Sequence, residues 1–388
     1  MLLPKDVENL INRLQSAGYE AYAVGGCVRD TLLGKTPCDW DICTSALPWE
    51  TLQIFKDMRV IETGLKHGTV TVIVRHIPYE ITTFRIDGEY LDSRRPENVS
   101  FVRDIKEDLS RRDFTVNAMA YNPQKGIVDL FCGQQDLQKG LIRAVGDAEK
   151  RFAEDALRIM RALRFAGVYD FEIEKTTAKA LNKNAPLLRN IAKERIFAEF
   201  KKLLDSCGGE KILLSFPEVI QEILPEFNKN IYPLAVNKTF SVNGLKLRFA
   251  VFFSLLYKEN AYSAVRTLKC DNETADFVKN LSHSYDIPLS PCLPLLRKSI
   301  FEKGWEVVWS IAKIRKNEDI TKLLFQIKEE NLPCSLKELA ITGQDLKALD
   351  ITGVFAGQVL KKLMYALMDE QVPNNKQALL SLAKTFKQ

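Results

Sequence analysis

The 388-residue sequence predicts an α+β fold: an N-terminal α/β head on a mixed sheet, then an all-α neck, body and tail. Three observations carry this. A short apolar run from Ala21 and two β-branched runs, at Thr69–Val74 and from Tyr79, alternate with helical spacing early in the chain. Helical spacing marks Arg151–Gly167 and the segment from Asn190, and beyond Asp205 the chain reads as helices with short loops and no strand-rich stretch. The length leaves room for several compact units, divided here as 1–142, 143–205, 206–300 and 301–388.

Composition removes whole classes. Hydrophobic content of 46% and charged content of 27% are ordinary for a soluble globular protein. The net charge of +5 is compatible with a polyanionic partner without identifying one. Eight cysteines lack Cys-x-x-Cys spacing, against a zinc site or a disulfide scaffold. Three histidines leave little material for imidazole catalysis. MLLPKDVENL does not read as a signal peptide, and no apolar run reaches membrane length, so a reducing cytoplasm is expected.

Taken in order, Val7, Leu10, Ile11 and Leu14 predict a helix before the first strand. AYAVGGCVRDTLLGKTPCDWDICTSA then reads as strand, Gly-Gly turn, helix, and a second strand carrying Asp39-Trp40-Asp41. Alternation on a strand would set Asp39 and Asp41 side by side. Two carboxylates that close repel unless a cation intervenes, and hard Mg²⁺, which travels with phosphates, suits them. Gly25 and Gly26 let backbone N–H groups approach an anion, with Arg29 beside them. That combination predicts metal-dependent phosphoryl transfer.

A helix is expected over Pro48–Asp57, after Thr44-Ser45-Ala46. Glu80 would open the second β-branched strand as a third metal-site acid, or be an ordinary exposed strand residue. Arg85–Pro96, RIDGEYLDSRRP, reads as a mobile loop beside the site. Arg111-Arg112-Asp113 leads into the small-residue run containing Asn117; a salt-bridged helix start is its plainer reading. A single helix is predicted from Arg151 to a stop at Gly167, making Asp155 and Arg158 neighbours on one face. Arg161 and Arg164 extend a guanidinium stripe that would repel itself, and a solvated basic face is the plainer reading.

The spacing of Gly-Gly, Val-Arg-Asp and Asp-Trp-Asp-Ile-x-Thr resembles the head of the class II tRNA nucleotidyltransferases. This family of CCA-adding enzymes is shared with bacterial poly(A) polymerases. The resemblance implies a polymerase-beta-like head, Mg²⁺ at Asp39 and Asp41, and tRNA, CTP and ATP as partners, with neither a membrane nor a protein partner implied. It tips Glu80 towards the metal site. It gives Arg112 the phosphates, Asp113 the ribose 2′-OH, and the 85–96 loop a part in adding the terminal adenosine. Val128–Phe131 with Gly133, Asp136 and Leu137 resembles the family's head–neck connection.

Base chemistry sharpens the role of Asp155 and Arg158. Cytosine and adenine both present an exocyclic amine donor beside a ring-nitrogen acceptor, whereas uracil and guanine reverse the order. A carboxylate beside a guanidinium therefore suits C and A, and each mismatched buried group costs about 1–3 kcal/mol. This matches the family's Glu-Asp-x-x-Arg motif, with Arg161 orienting phosphate or base and Glu154 expected as a helix-start acid. Glu194 and Arg195 would brace the neck. Between Lys175 and Lys202 eight Lys or Arg stand against two Glu, a face for RNA phosphates or for solvent. Ser206-Cys-Gly-Gly and Asp286-Ile-Pro-Leu-Ser-Pro read as boundaries. Leu336–Phe386, with a helix from about Gln358, resembles the tRNA-contacting tail. An A-adding enzyme of a split CC/A pair, or a poly(A) polymerase, shares these motifs.

Overall fold

The computed structural model describes residues 1–88 and 99–386. It forms two compact units, Met1–Glu226 and Phe227–Gln388.

The first unit opens with α1 (Lys5–Ser16), which buries Val7, Leu10, Ile11 and Leu14 on one face. All four residues of β1 (Ala21–Val24) are buried, the signature of a central strand covered on both sides. Next come α2 (Gly26–Leu32), β2 (Ile42–Thr44), α3 (Pro48–Ile54), β3 (Arg59–Ile61), β4 (Thr69–Val74) and β5 (Ile77–Thr83). After them β6 (Arg85–Asp87) pairs antiparallel with β7 (Val99–Phe101) in a separate ribbon. Then α4 (Ile105–Ser110), β8 (Met119–Asn122) and β9 (Gly126–Asp129) complete the head. Seven strands share one sheet in the order β3-β4-β5-β2-β1-β8-β9. Its one parallel pair, β2 with β5, makes the sheet mixed, as expected. Tyr22, Val24, Cys43, Phe84, Ile105, Leu109 and Ala120 form a core cluster joining the sheet to α4.

Three expectations for the head are corrected. Asp39-Trp40-Asp41 precedes β2 instead of lying on it. Ladder contact starts at the Asp41 carbonyl, which accepts from the Val24 N–H at 3.0 Å; Pro37, with no N–H to give, stands in the approach. Glu80 does not open its strand: β5 begins at Ile77, after a turn in which Arg75 and His76 take positive φ of 49° and 69°. Of the loop foreseen over Arg85–Pro96, the first three residues are strand β6, and residues 89–96 lie outside the described residues.

The same unit continues through α5 (Gly133–Gln138), β10 (Leu141–Ile142), α6 (Ala148–Glu154), α7 (Leu157–Tyr169) and β11 (Glu172–Ile173). It ends with α8 (Lys175–Asn184), α9 (Lys193–Asp205), α10 (Gly209–Ser215) and α11 (Pro217–Ile223). The neck is not purely helical, since β10 and β11 pair in parallel. Nor is there one helix from Arg151 to Gly167. The chain breaks at Asp155 (φ −137°, ψ 100°), and Asp155 Oδ1 accepts from the Leu157 N–H at 3.0 Å. A short acid that hydrogen-bonds backbone two residues on competes well with helix continuation. Gly167 is not a stop: α7 runs to Tyr169 and ends at Asp170 with φ 54°. Its role is close approach, because a Cβ there would meet Ser206 Oγ at 2.6 Å and Leu203 Cδ1 at 2.8 Å. The Ser206–Gly209 turn is likewise no unit boundary; the Gly208 N–H donates to the Gly167 carbonyl at 2.9 Å.

The second unit is helical, with α12 (Tyr232–Phe240), α13 (Leu245–Tyr257), α14 (Ala261–Arg266), α15 (Asn272–Ser284) and α16 (Leu293–Lys303). They are followed by α17 (Trp305–Ile314), α18 (Glu318–Glu329), α19 (Gly343–Lys347), α20 (Gly353–Met368) and α21 (Lys376–Thr385). α13 is apolar around most of its girth and buries Phe249, Phe252 and Phe253, as a central helix must. α16 runs through position 300, so the chain does not divide there, and α20 starts at Gly353, before the expected Gln358. Among the described residues no helix is long and apolar enough to cross a membrane.

Candidate active site

The head brings its acids together through sheet register. Ile42 of β2 lies opposite Ile81 of β5, so the preceding residues, Asp41 and Glu80, come level at one edge. Asp39, Asp41 and Glu80 are all exposed. Desolvation by the surrounding protein, then repulsion from Asp39 and Glu80, pushes the Asp41 carboxyl up to about 6 despite the opposing charge of Arg112. Surplus negative charge among oxygen donors suits a hard divalent cation. Among the described residues no three His, Cys, Asp or Glu side chains form a ready-made metal group. Asp39 and Asp41 remain the candidate ligands, and Glu80, foreseen as a third acid, adds its negative charge beside Asp41.

Beside this corner lies the Gly25-Gly26 turn. Gly25 holds φ 80°, and a Cβ on it would meet Arg112 Nη1 at 2.8 Å. The turn therefore needs glycine twice over, for its backbone and for the arginine laid against it. Arg112 is anchored by Asp108, 3.2 Å away, which also takes Arg111 at 2.8 Å. Burial would push the Asp108 carboxyl up, but Arg112 and Arg111 hold it below its usual range.

Arg29 has more to do than face the turn. Its guanidinium is buried, grips Asp30 through two bonds of 2.9 and 3.0 Å, and donates to Asn117 Oδ1. Asn117 Nδ2 in turn donates to Asp113 Oδ1 at 3.0 Å, and Arg161 holds Asp113 Oδ2 at 2.6 Å. Burial alone would raise the Asp113 carboxyl; Arg161 and Asn117 bring it down to about 2. Both Asp113 oxygens are engaged within the protein; the Arg111-Arg112-Asp113 segment is salt-bridged, but it follows the end of α4 and starts no helix. A ribose hydroxyl would share an oxygen already in use.

On α7 the foreseen stripe of guanidinium groups is real, and its self-repulsion is answered by one acid per arginine. Arg158 pairs with Glu154 at 2.9 Å, Arg161 with Asp113, and Arg164 with Glu199. The Arg158 N–H donates to the Asp155 carbonyl at 3.0 Å, but the two side chains take different partners. Asp155 caps α7 and sits 3.6 Å from Arg195, which fits the bracing role foreseen for the latter. Arg158 is buried, donating also to the Arg151 and Arg111 carbonyls at 3.2 and 3.0 Å. Glu154 is not a helix-start acid: it closes α6 and bridges Arg151 and Arg158. The Arg111 contact joins α7 to the segment that carries Arg112, and hence to the edge holding Asp41.

Sequence reasoning missed Asp30, Asp108, Glu199 and Tyr169, whose hydroxyl donates to Asp30 at 2.7 Å. Their partners are fixed by packing, and only the buried arginines hinted that acids were needed. Elsewhere in this unit, a cavity of about 800 Å³ beside Asp6, Arg13 and Arg75 includes none of the foreseen site residues.

Comparison with known proteins decides the family. Residues 21–143 match the poly A polymerase head domain, 170–230 the domain described as a probable RNA- and SrmB-binding site of polymerase A, and 246–383 tRNA nucleotidyltransferase domain 2. A CCA-adding enzyme of Streptococcus suis is 38% identical over 97% of this chain and 95% of its own length. One from Leuconostoc mesenteroides is 37% identical over 98% and 96%. The chain belongs to the class II tRNA nucleotidyltransferases, the CCA-adding enzyme family. The Bacillus stearothermophilus CCA-adding enzyme solved in complex with CTP superposes with a TM-score of 0.82 at 31% identity, covering 100% of this chain and 98% of that one. The Thermotoga maritima enzyme complexed with tRNA shares the fold, with a TM-score of 0.67 at 22% identity, over 99% and 96%. Nucleotidyltransferases of this family use divalent metals.

Proposed function

We propose that the protein completes the 3′-CCA end of tRNA from CTP and ATP without a nucleic-acid template, in the cytoplasm. Asp39 and Asp41 hold Mg²⁺, with Glu80 adding negative charge. When bound, the metal supplies Lewis acidity for the primer 3′-hydroxyl and for the departing pyrophosphate. Gly25, Gly26, Arg29 and Arg112 receive the triphosphate, and Asp113 with Asn117 lies on the ribose side. Asp155 and Arg158 meet the base edge, seconded by Arg161.

The observation that carries this reading is continuity. An acid corner, the glycine turn under Arg112, and an arginine row on α7 are linked through Arg111, Asn117 and Asp113 within one compact unit. This link supports assigning phosphate binding and base choice to one site. The test is extension of tRNA transcripts that end before, within and after CCA, supplied with CTP, ATP and Mg²⁺. Products that stop at CCA are expected. Adenosine added only to CC-ended tRNA, or a long adenosine tail, contradicts the proposal.

A further inference from the structure

Phe165 lies on α7 within the arginine row, and its ring is buried at 5% exposure. Three guanidinium carbons gather on it: Arg164 at 3.8 Å, Arg29 at 5.1 Å and Arg161 at 5.2 Å from the centroid. Each distance is within reach of the cation–π attraction, which strengthens as water is removed. Arg164 is in that regime, since burial pulls its basicity below the usual arginine value. Phe114, the residue after Asp113, meets the same ring edge-on at 5.8 Å, and Tyr169 stacks beside it at 6.3 Å.

These contacts span both halves of the site. Arg29 belongs to α2, the helix rising from the Gly-Gly turn, whereas Arg161 and Arg164 belong to α7. Asp30, Asp113 and Glu199 neutralise the three cations in pairs. Arg29 has its plane set by Asp30 and Asn117 on two edges. Arg161 and Arg164, by contrast, each grip a single carboxylate oxygen, Asp113 Oδ2 and Glu199 Oε2, which by itself leaves the guanidinium plane unset. A shared ring fixes the planes, and the plane of a guanidinium decides where its remaining N–H groups point.

We propose that Phe165 is a specificity-positioning residue, the aromatic platform that holds Arg29, Arg161 and Arg164 in register so that triphosphate and base are gripped together. It touches no reacting atom. The inference rests on the nucleotidyl-transfer reading above, and its test separates the two.

Phe165→Leu keeps an apolar side chain but removes the π face, whereas Phe165→Tyr keeps the face. Incorporation of CTP and of UTP onto tRNA lacking CCA is measured for both variants and the parent, with melting curves alongside. The leucine variant should raise the UTP-to-CTP ratio of kcat/KM by about tenfold, from the loss of desolvated cation–π contacts. It should also raise KM for CTP, and the tyrosine variant should return both values to within about threefold of the parent. Should the leucine variant not fold, Phe165→Met is measured in its place. A parent-like nucleotide ratio in the leucine variant, even with a lowered melting point, makes Phe165 merely structural and overturns the inference. Equal loss in the leucine and tyrosine variants overturns it as well. Failure of the parent protein to extend tRNA would instead defeat the underlying functional reading.

Discussion

The acid corner and the arginine row are opposite solutions to crowded charge. At Asp39, Asp41 and Glu80 three exposed carboxylates converge, with Arg112 the cation that opposes them at Asp41. On α7 every arginine of the row has a carboxylate of its own, from Glu154, Asp113 or Glu199. The first region keeps its electrostatic demand for something outside the protein to meet. The second meets its demand internally, which fixes the guanidinium groups in place within the protein. A metal site benefits from unspent charge, and a base-reading site from rigid geometry.

The sharpest way to break this contrast is at the corner. Asp39→Ala should abolish nucleotide incorporation by at least about a thousandfold, as expected when a charge-stabilising metal is lost. Its melting transition should change little, because the side chain is exposed. A single-turnover assay with circular dichroism alongside checks both halves, and near-normal incorporation would end the assignment of this residue. In the row the pattern should invert. Glu154→Ala removes the carboxylate that Arg151 and Arg158 share, leaving two cations whose side chains are only 16% and 9% exposed with carbonyl acceptors such as those of Ser110 and Arg111. Urea denaturation should show a loss of about 3 kcal/mol, and base selectivity should fall with it.

A gentler probe uses pH. The folded Asp113 carboxyl sits at about 2, below the roughly 3.9 of an unfolded chain. A depressed carboxyl adds stability above its unfolded value and loses it as pH falls through the folded one. The contribution is about 2 kcal/mol, present in full near pH 5 and fading towards pH 2. Denaturation midpoints between pH 5 and 2.5 should therefore fall less steeply for Asp113→Asn than for the parent.

The sequence made the corner legible and the row only half so. Asp39, Asp41, Gly25 and Gly26 are close in the chain, and their chemistry needs proximity more than an exact backbone. Even there, alternation put the two aspartates on a strand that begins after them. The row depended on long-range pairing, in which Glu199 reaches Arg164 and Asp113 reaches Arg161 across tens of residues. Period alone also ran one helix through Asp155, because nothing in apolar spacing reports a side chain that caps the helix beginning after it. Gly167 misled in the same way: it looked like a terminator and is a contact point for α9.

On the proposed function, side chains at the α6–α7 break choose the base. Competition between CTP and UTP, on tRNA lacking CCA, measures this most directly for the parent and for Arg158→Ala. The variant should still incorporate nucleotides but lose at least about tenfold in preference for CTP, the effect of one unmatched hydrogen-bonding group. Undiminished preference for CTP in a folded, active Arg158→Ala protein would contradict it.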